Sequence, residues 1–412
     1  MRSRLFLIVS TLLISANIFA GGFQLNEHGA RALAMGGAFT SVANDASAIY
    51  WNGAGISFLK GTNIVFGASF IAPSSKFRGV TPDVTEYRGK NLLFYPVHFF
   101  ATTQLSDKFS VGLGFTTPFG LGTEWDENWV GKYLAIETSL QTFIVTPVIS
   151  YKPIESLAIS AGFVYSFADV LITRKNPLQP IFASDAFIHL EGNDMFAYGF
   201  NAGIMFKPTK CISIGASYHS EVKYEFEGTA TSTGPDQVAA SLPKGDIKAE
   251  LSTPQNISGG LSVDISSRVK LSADFQYVGW SSYDTLAVTF VETGVVSASP
   301  RMYEDSYIIR LGGSYKANDQ VTFMGGVYYD KNPVSNEYLN PSLPESNRIG
   351  LSFGIEAQIF ENLSVQGSYL FIRGKQLTIT DSQEIYTSGN GAFNGTYNTS
   401  ANIFGLSFNL SL

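Results

Sequence analysis

The chain has little charge. Lys and Arg number 27, Asp and Glu 34, and together they make up 15% of 412 residues. A net charge of −7 leaves no basic surface for phosphates and argues against a nucleic-acid partner. There is one cysteine, Cys211, so no internal disulfide can form; in an exported chain a lone thiol is expected to be packed. Past the N-terminus no apolar run reaches the roughly 20 residues a membrane helix needs, which excludes a helical membrane protein. There is no H-E-x-x-H, no C-x-x-C and no P-loop. None of His28, His98, His189 and His219 lies in a nucleophile motif such as G-x-S-x-G. "GARALAMGG" carries glycines, but no strand precedes it, so a dinucleotide reading fails on context. No catalytic residue, metal ligand or cofactor is expected, and the chain reads as a non-enzyme.

What is abundant points elsewhere. Phe (32), Tyr (20) and Gly (40) are rich, and 45% of residues are apolar. Low charge with this composition suits a β-protein that faces something other than water. Arg2 and Arg4, the apolar run Leu5–Ile14 and the small Ala20 read as a signal peptide over residues 1–20.

The dominant pattern is period 2. In 157–167, Leu157, Ile159, Ala161, Phe163, Tyr165 and Phe167 share one face. In 269–277, Val269, Leu271, Ala273, Phe275 and Tyr277 alternate with Lys270, Ser272, Asp274 and Gln276. In 404–412, Phe404, Leu406, Phe408, Leu410 and Leu412 alternate with Gly405, Ser407, Asn409 and Ser411. Stretches such as 139–151 and 195–207 exceed the usual strand of about 5–6 residues and suit a tilted bilayer crossing of about 9–11. Short polar links alternate with long ones, the pattern of an outer-membrane barrel. The runs give about fourteen antiparallel strands: 60–72, 92–105, 108–117, 132–151, 154–173, 188–207, 211–228, 247–265, 268–291, 305–316, 320–330, 346–360, 363–380 and 396–412. An even count closes a transmembrane β-barrel without a free edge, with both termini on the periplasmic side. The fold class expected is all-β, with residues 60–412 forming the barrel.

Residues 21–59 have no strand pattern. Ala, Gly and Ser dominate, with Phe23, Leu25, Leu33, Met35, Phe39, Ile49, Tyr50 and Trp51 among them. That is too apolar for a solvated tail. A compact hatch inside the lumen explains both the small residues and the aromatics, with a short helix starting near Asp45 and Tyr50 and Trp51 as anchors.

The start "GFQLNEHGARALAMGGAFTSVANDASAIYWNGAG" resembles the hatch of the long-chain fatty acid outer-membrane transporters, a family that includes the toluene and xylene channels. "TTPFGLGTEW" (116–125), "SEVKYEFEG" (220–228), "GWSSYDTL" (279–286), "EDSYIIRLGGSY" (304–315) and "YYDKNPVSNEYLNPSLPESNRIGLSFG" (328–354) agree in the same order. The resemblance implies a plugged fourteen-stranded barrel that captures hydrophobic cargo, holds it in an apolar pocket and releases it sideways through a gap at a kinked third strand. An Asn-Pro-Ala motif lies beside that gap in the family. The matching residues here are Asn52, Gly53 and Ala54, with Gly53 where Pro is usual. The mature N-terminal residues reach the ligand, which points to Gly22 and Phe23. The kink would fall in "FSVGLGFTTPFGLG", where Gly114, Pro118, Phe119 and Gly120 weaken or forbid ladder pairing; the alternative is that Pro118-Phe119-Gly120 merely ends the strand. A fatty-acid carboxylate would need a cation, for which Arg174 and Arg301 are the candidates, with Arg310, Lys132 and Lys223 behind them. Each could equally be a solvated rim or lumen charge. Monoaromatic hydrocarbons are the other cargo, and an adhesive barrel or a barrel lipase are the other classes. The expected partners are the cargo, outer-membrane lipid and the barrel assembly machinery, with the chain acting as a monomer.

Overall fold

The computed structural model describes residues 21–80, 84–384 and 391–412; the expected signal peptide lies outside the described residues. Fourteen antiparallel strands close into a barrel. They are β1 Thr62–Gly79, β2 Val97–Gln104, β3 Phe109–Thr116 continued by Gly120–Glu124, β4 Glu137–Ile154, β5 Leu157–Asn176 and β6 Ala186–Phe206. Next come β7 Ile212–His219 continued by Val222–Thr233, β8 Gly245–Thr253 with Asn256–Asp264, and β9 Val269–Val278 with Thr285–Phe290. The circuit ends with β10 Val296–Pro300 with Ser306–Lys316, β11 Val321–Asp330, β12 Arg348–Phe360, β13 Leu363–Gly374 with Leu377–Ile379, and β14 Gly395–Ser411. Closure is made by β1 against β14, in register from Asn63↔Ser411 to Gly79↔Gly395. The first and last strands thus have no free edge along this register, as a membrane interior requires.

Alternation sets which face each side chain takes. Outward, Phe163, Phe275, Phe353 and Phe404 are half exposed. Inward, Ser166, Ser272, Asp274, Gln276 and Ser407 are buried. A soluble protein would have the reverse arrangement. The expected strands match these in number and order. Strand β1 runs on to Gly79 rather than stopping at 72, and β4 begins at Glu137 rather than 132. The residues before β4 instead form a turn in which Trp125 and Trp129 stack at 4.2 Å. One expectation fails outright: Cys211 is exposed in the turn after β6, where a tight polar link gives a thiol nothing to pack on.

Residues 21–59 lie against the inward faces of the strands. They include α1 Ala30–Ala34, α2 Ala48–Trp51 and a 3₁₀ turn over Gly53–Phe58. Inward-facing serines hold their backbone: Ser352 Oγ donates to Ala34 O (2.8 Å), Ser272 Oγ to Ala38 O (2.8 Å) and Ser69 Oγ to Glu27 O (2.6 Å). The Thr40 N–H donates to Asp274 Oδ2 at 2.7 Å. Such donors and acceptors replace the water that irregular backbone would otherwise need. The approach is close enough to require glycine on the wall. A Cβ at Gly326 would stand 2.2 Å from the Met35 carbonyl carbon, and one at Gly312 2.4 Å from Met35 O. Arg31 of this layer is paired: it contacts Glu356 and lies 3.5 Å from Asp45. Burial, with His98 nearby, pushes His28 down to about 3, so its ring is neutral.

Candidate functional site

The site grows from an interruption in the third strand. Up to Phe115, β3 pairs with β2 (Phe99↔Phe115). Then Thr117-Pro118-Phe119 breaks the ladder, since proline has no N–H to give. The continuation Gly120–Glu124 pairs with β4 alone. The N-terminal segment takes up the freed backbone. Leu25 N donates to Pro118 O at 2.8 Å, and Gly120 N donates to Phe23 O at 3.1 Å. Thr142 Oγ1 donates to Phe119 O at 2.7 Å. The alternative of a strand simply ending at Pro118 is therefore not what the backbone does. The wall between β2 and the upper part of β3 has no ladder, and the Phe94 ring lies over Gly122 there.

A cavity of about 610 Å³ occupies this interruption. Phe23, Leu25, Leu93, Phe94, Phe119 and Leu121 make it apolar, with Glu345 and Arg348 at its edge. Arg348 already holds Asp330, with Nη2 at 2.9 Å and Nε at 3.0 Å from Oδ2.

A second cavity, about 170 Å³, adjoins it. Its walls are aliphatic and aromatic, including Leu134, Val170, Ile172, Phe226, Leu251 and Val288. Two guanidiniums, Arg174 and Arg301, and three carboxylates, Glu191, Glu250 and Glu384, break that surface. Arg301 Nη1 is 3.8 Å from Glu384 Oε1, which is long for a hydrogen bond. Arg301 Nε is buried and has no hydrogen-bond partner among the described residues. Tyr283 and Tyr303 meet edge to face at 4.9 Å in the same wall. Such a chamber holds an apolar body and offers spare donors to an anionic head.

Phe23 lines both cavities. It is buried, and its ring meets Trp280 at 4.7 Å, Tyr283 at 5.7 Å and Phe119 at 6.1 Å. Gly22 carries φ +63° with the Trp280 ring directly against it, so only glycine turns the chain there. A third, central cavity of about 70 Å³ lies between Gly114, Pro118 and Phe119 on one side and Phe200, Ser220 and Val222 on the other.

Asn52, Gly53 and Ala54 line none of these cavities. The expectation that Asn52 abuts the third strand is not met. Its Nδ2 donates to Thr40 O (2.9 Å) and to Ile204 O on β6 (3.0 Å), and its Oδ1 accepts from Ala54 N (3.2 Å). Ile49 stands against β3 instead, filling the space over Gly112 and Gly114. Gly53 faces Ser160 and Val148. The anchors hold as expected: Trp51 Nε1 donates to His28 O (3.0 Å), and Tyr50 OH to Leu25 O (3.2 Å). Arg310 is buried with Trp51 over it at 5.9 Å. Lys132 pairs with Asp185 (3.0 Å), and Lys223 faces outward to Glu250 (2.8 Å). Sequence reasoning missed Tyr283, Tyr303, Glu345, Arg348 and Glu384, which barrel closure alone brings to the chambers.

Residues 11–412 match the family described as outer membrane protein transport protein (OMPP1/FadL/TodX). The chain belongs to this family. It is an outer-membrane protein, as the family description states. The long-chain fatty acid transport protein of Salmonella typhi is 26% identical over 437 residues, covering 98% of this chain and 97% of that one. The corresponding protein of Escherichia coli K12 is 25% identical over 448 residues, with 98% and 97% covered. Among solved structures, a Pseudomonas aeruginosa FadL homologue superposes with a TM-score of 0.86 at 21% identity, over 95% of this chain and all of that one. The Pseudomonas putida toluene transporter TodX gives 0.75 at 19%, over 96% and 100%. Both structural likenesses concern the fold.

Proposed function

We propose that this OMPP1/FadL/TodX-family chain is an uptake channel for long-chain fatty acids. The carboxylate is held by Arg174 and Arg301, the acyl chain by the aliphatic wall around them. Phe23 separates that chamber from the larger one. When Phe23 swings, the cargo passes into the larger chamber and leaves sideways between β2 and β3, where no ladder blocks it. Residues 21–59 act as the hatch that bars the straight route through the lumen. The closed circuit of strands supports action as a monomer in outer-membrane lipid, after insertion by the barrel assembly machinery. The observation that carries the reading is the buried Nε of Arg301, without a hydrogen-bond partner among the described residues, in a chamber with aliphatic and aromatic walls.

The test is titration of purified protein with oleate and with toluene, followed by tryptophan fluorescence. Loss of a charge-assisted hydrogen bond costs about 1.5–3 kcal/mol, so Arg301→Ala should weaken oleate binding by about 10- to 150-fold. Toluene, having no charge, should be unaffected. Unchanged oleate affinity in the Arg174→Ala/Arg301→Ala double variant sinks the fatty-acid reading. Uptake of monoaromatic hydrocarbons is the second reading. It is favoured by the larger chamber, whose one guanidinium is already held by Asp330. Toluene binding without oleate binding would select it.

A further inference from the structure

A second interruption lies on another side of the barrel. Strand β6 pairs with β7 from Asn201↔His219 to Phe206↔Ile214. It pairs again from Glu227↔Asn193 to Thr233↔Phe187. The register is the same on both sides, so Asp194–Phe200 stands opposite Ser220–Phe226, and no ladder pair joins them. The cause is a pair of staggered irregularities. Against β5, strand β6 carries an extra residue between the pairs Ser166↔Ala197 and Ala168↔Asp194, and Met195 and Phe196 both point outward. Strand β7 breaks at Ser220-Glu221. Between these two points the strands are out of step. Buried Ala197 of β6 faces exposed Lys223 of β7, while exposed Tyr198 and Phe196 face buried Val222 and Tyr224. A one-residue slip exchanges the two faces of a strand, so the ladder cannot close.

Side chains bridge the seam instead. Asp194 Oδ2 accepts the Glu225 N–H at 2.8 Å, in the place of a strand carbonyl. Ser220 Oγ accepts from Phe200 N at 2.9 Å, and Ser220 N donates to Phe200 O at 2.9 Å. On the inner side the Tyr224 hydroxyl reaches Ser166 Oγ on β5 at 2.6 Å, crossing behind the small Ala197. Directly inside lies the central cavity, lined here by Asn201, Ser220 and Val222 and across the lumen by Pro118 and Phe119. Outside stand Met195, Phe196, Tyr198 and Phe200, at 54–69% exposure.

We propose that this seam is a second side port, through which uncharged apolar molecules dissolved in the bilayer exchange with the central cavity, and that Tyr224 is its bar. Pairing lost over seven positions lets the wall part without breaking a ladder. The apolar outer mouth admits hydrocarbon, and no lysine or arginine lines the cavity behind it to balance a carboxylate. Only the nature of what passes rests on the transport reading; the port does not.

The experiment uses the full-length protein in proteoliposomes, in a Cys211→Ser background. Val222→Cys places a thiol just inside the seam. Ala158→Cys places one on the inner face of β5, where the ladder to β6 is intact (Ala158↔Met205) and no cavity is lined. Both are exposed to a membrane-partitioned maleimide. Labelling at 222 should run about tenfold faster than at 158, local opening being set by the pairing that must break. Tyr224→Phe, which keeps the ring and drops the bond to Ser166, should accelerate it further, and Tyr224→Ala more so. Equal protection at 222 and 158, unchanged by either Tyr224 variant, overturns the port. Oleate and toluene titrations of the same preparations read the transport scaffold separately. Binding without labelling refutes the port alone; labelling without binding refutes the transport reading and leaves the port.

Discussion

Gly326→Ala tests how the N-terminal segment is held. The added Cβ would lie 2.2 Å from the Met35 carbonyl carbon and 2.4 Å from both Met35 O and Gly36 N, against 3.4 Å where ordinary contact begins. All three atoms are backbone, so no rotamer relieves the clash. The segment must retreat by about 1 Å, a shift at which packing contacts are largely forfeited. That movement strains the bonds from Ser352 to Ala34 O and from Ser272 to Ala38 O, each 2.8 Å. Overpacking costs about 1–3 kcal/mol, and each weakened bond about 1 more, so a loss of about 3–5 kcal/mol is expected. The assay is conductance in planar bilayers together with thermal unfolding. Gly326→Ala should melt lower and show intermittent ion leak as the segment lifts. Gly325→Ala is the control: its Cβ would find only Ser352 O, at 3.7 Å, so it should behave as wild type. If Gly326→Ala matches Gly325→Ala in both measurements, the segment is not seated as described.

Asn52→Ala removes three hydrogen bonds at once, those to Thr40 O, Ile204 O and Ala54 N, and takes from Thr40 O and Ala54 N their side-chain partner. With buried unsatisfied groups costing about 1–3 kcal/mol, unfolding should shift clearly down while oleate affinity stays level; a functional loss at wild-type stability would contradict that structural role. Phe23→Ala joins the two chambers, so oleate should dissociate faster, by stopped-flow, without a matching loss of association rate; slower dissociation would refute Phe23 as the partition. The fourth concerns Glu345, in the link between β11 and β12. Burial pushes its carboxyl up to about 7, against the pull of Arg348 and with Asp330 adding to the rise; Glu27 and Tyr328 share the same electrostatic neighbourhood of Arg348. The folded chain therefore holds a proton that the unfolded chain releases near 4.5. Stability should fall as pH rises through that window and level off above about 7. Glu345→Gln should flatten the part of the slope due to this residue, while Glu27 and Asp45, also raised by burial, continue to contribute; an unaltered slope in the variant would remove Glu345 as a source.

The strands were legible because two solvents write them. Lipid outside and packed polar residues inside force an alternation such as Leu271, Phe275 against Ser272, Asp274, which survives whatever the register. The kink at Pro118 was legible too, since a missing N–H is written in the residue itself. The β6–β7 seam was not. Its cause is a one-residue slip at Met195-Phe196, and a slip leaves composition untouched. Nor was the path of 21–59: with no period to follow, Asn52 could be placed on either wall, and its true neighbour, Ile204, lies 152 residues away. Arg174 and Arg301 stood out as cations near strand ends. Glu384 did not, because a lone acid in a long link gains meaning only from what closure sets beside it.

The glycine-lined contact at Gly326 also bears on how the molecule is made. The barrel is sealed by its first and last strands, β1 and β14, which meet only once the whole chain exists. A filling whose backbone sits where not even a methyl group fits cannot be pushed into a finished cylinder. Residues 21–59 must therefore wait, already curled, while the wall is drawn around them. Sealing the cylinder and loading it become one event, and a chain that closed first would be an empty tube with no way back.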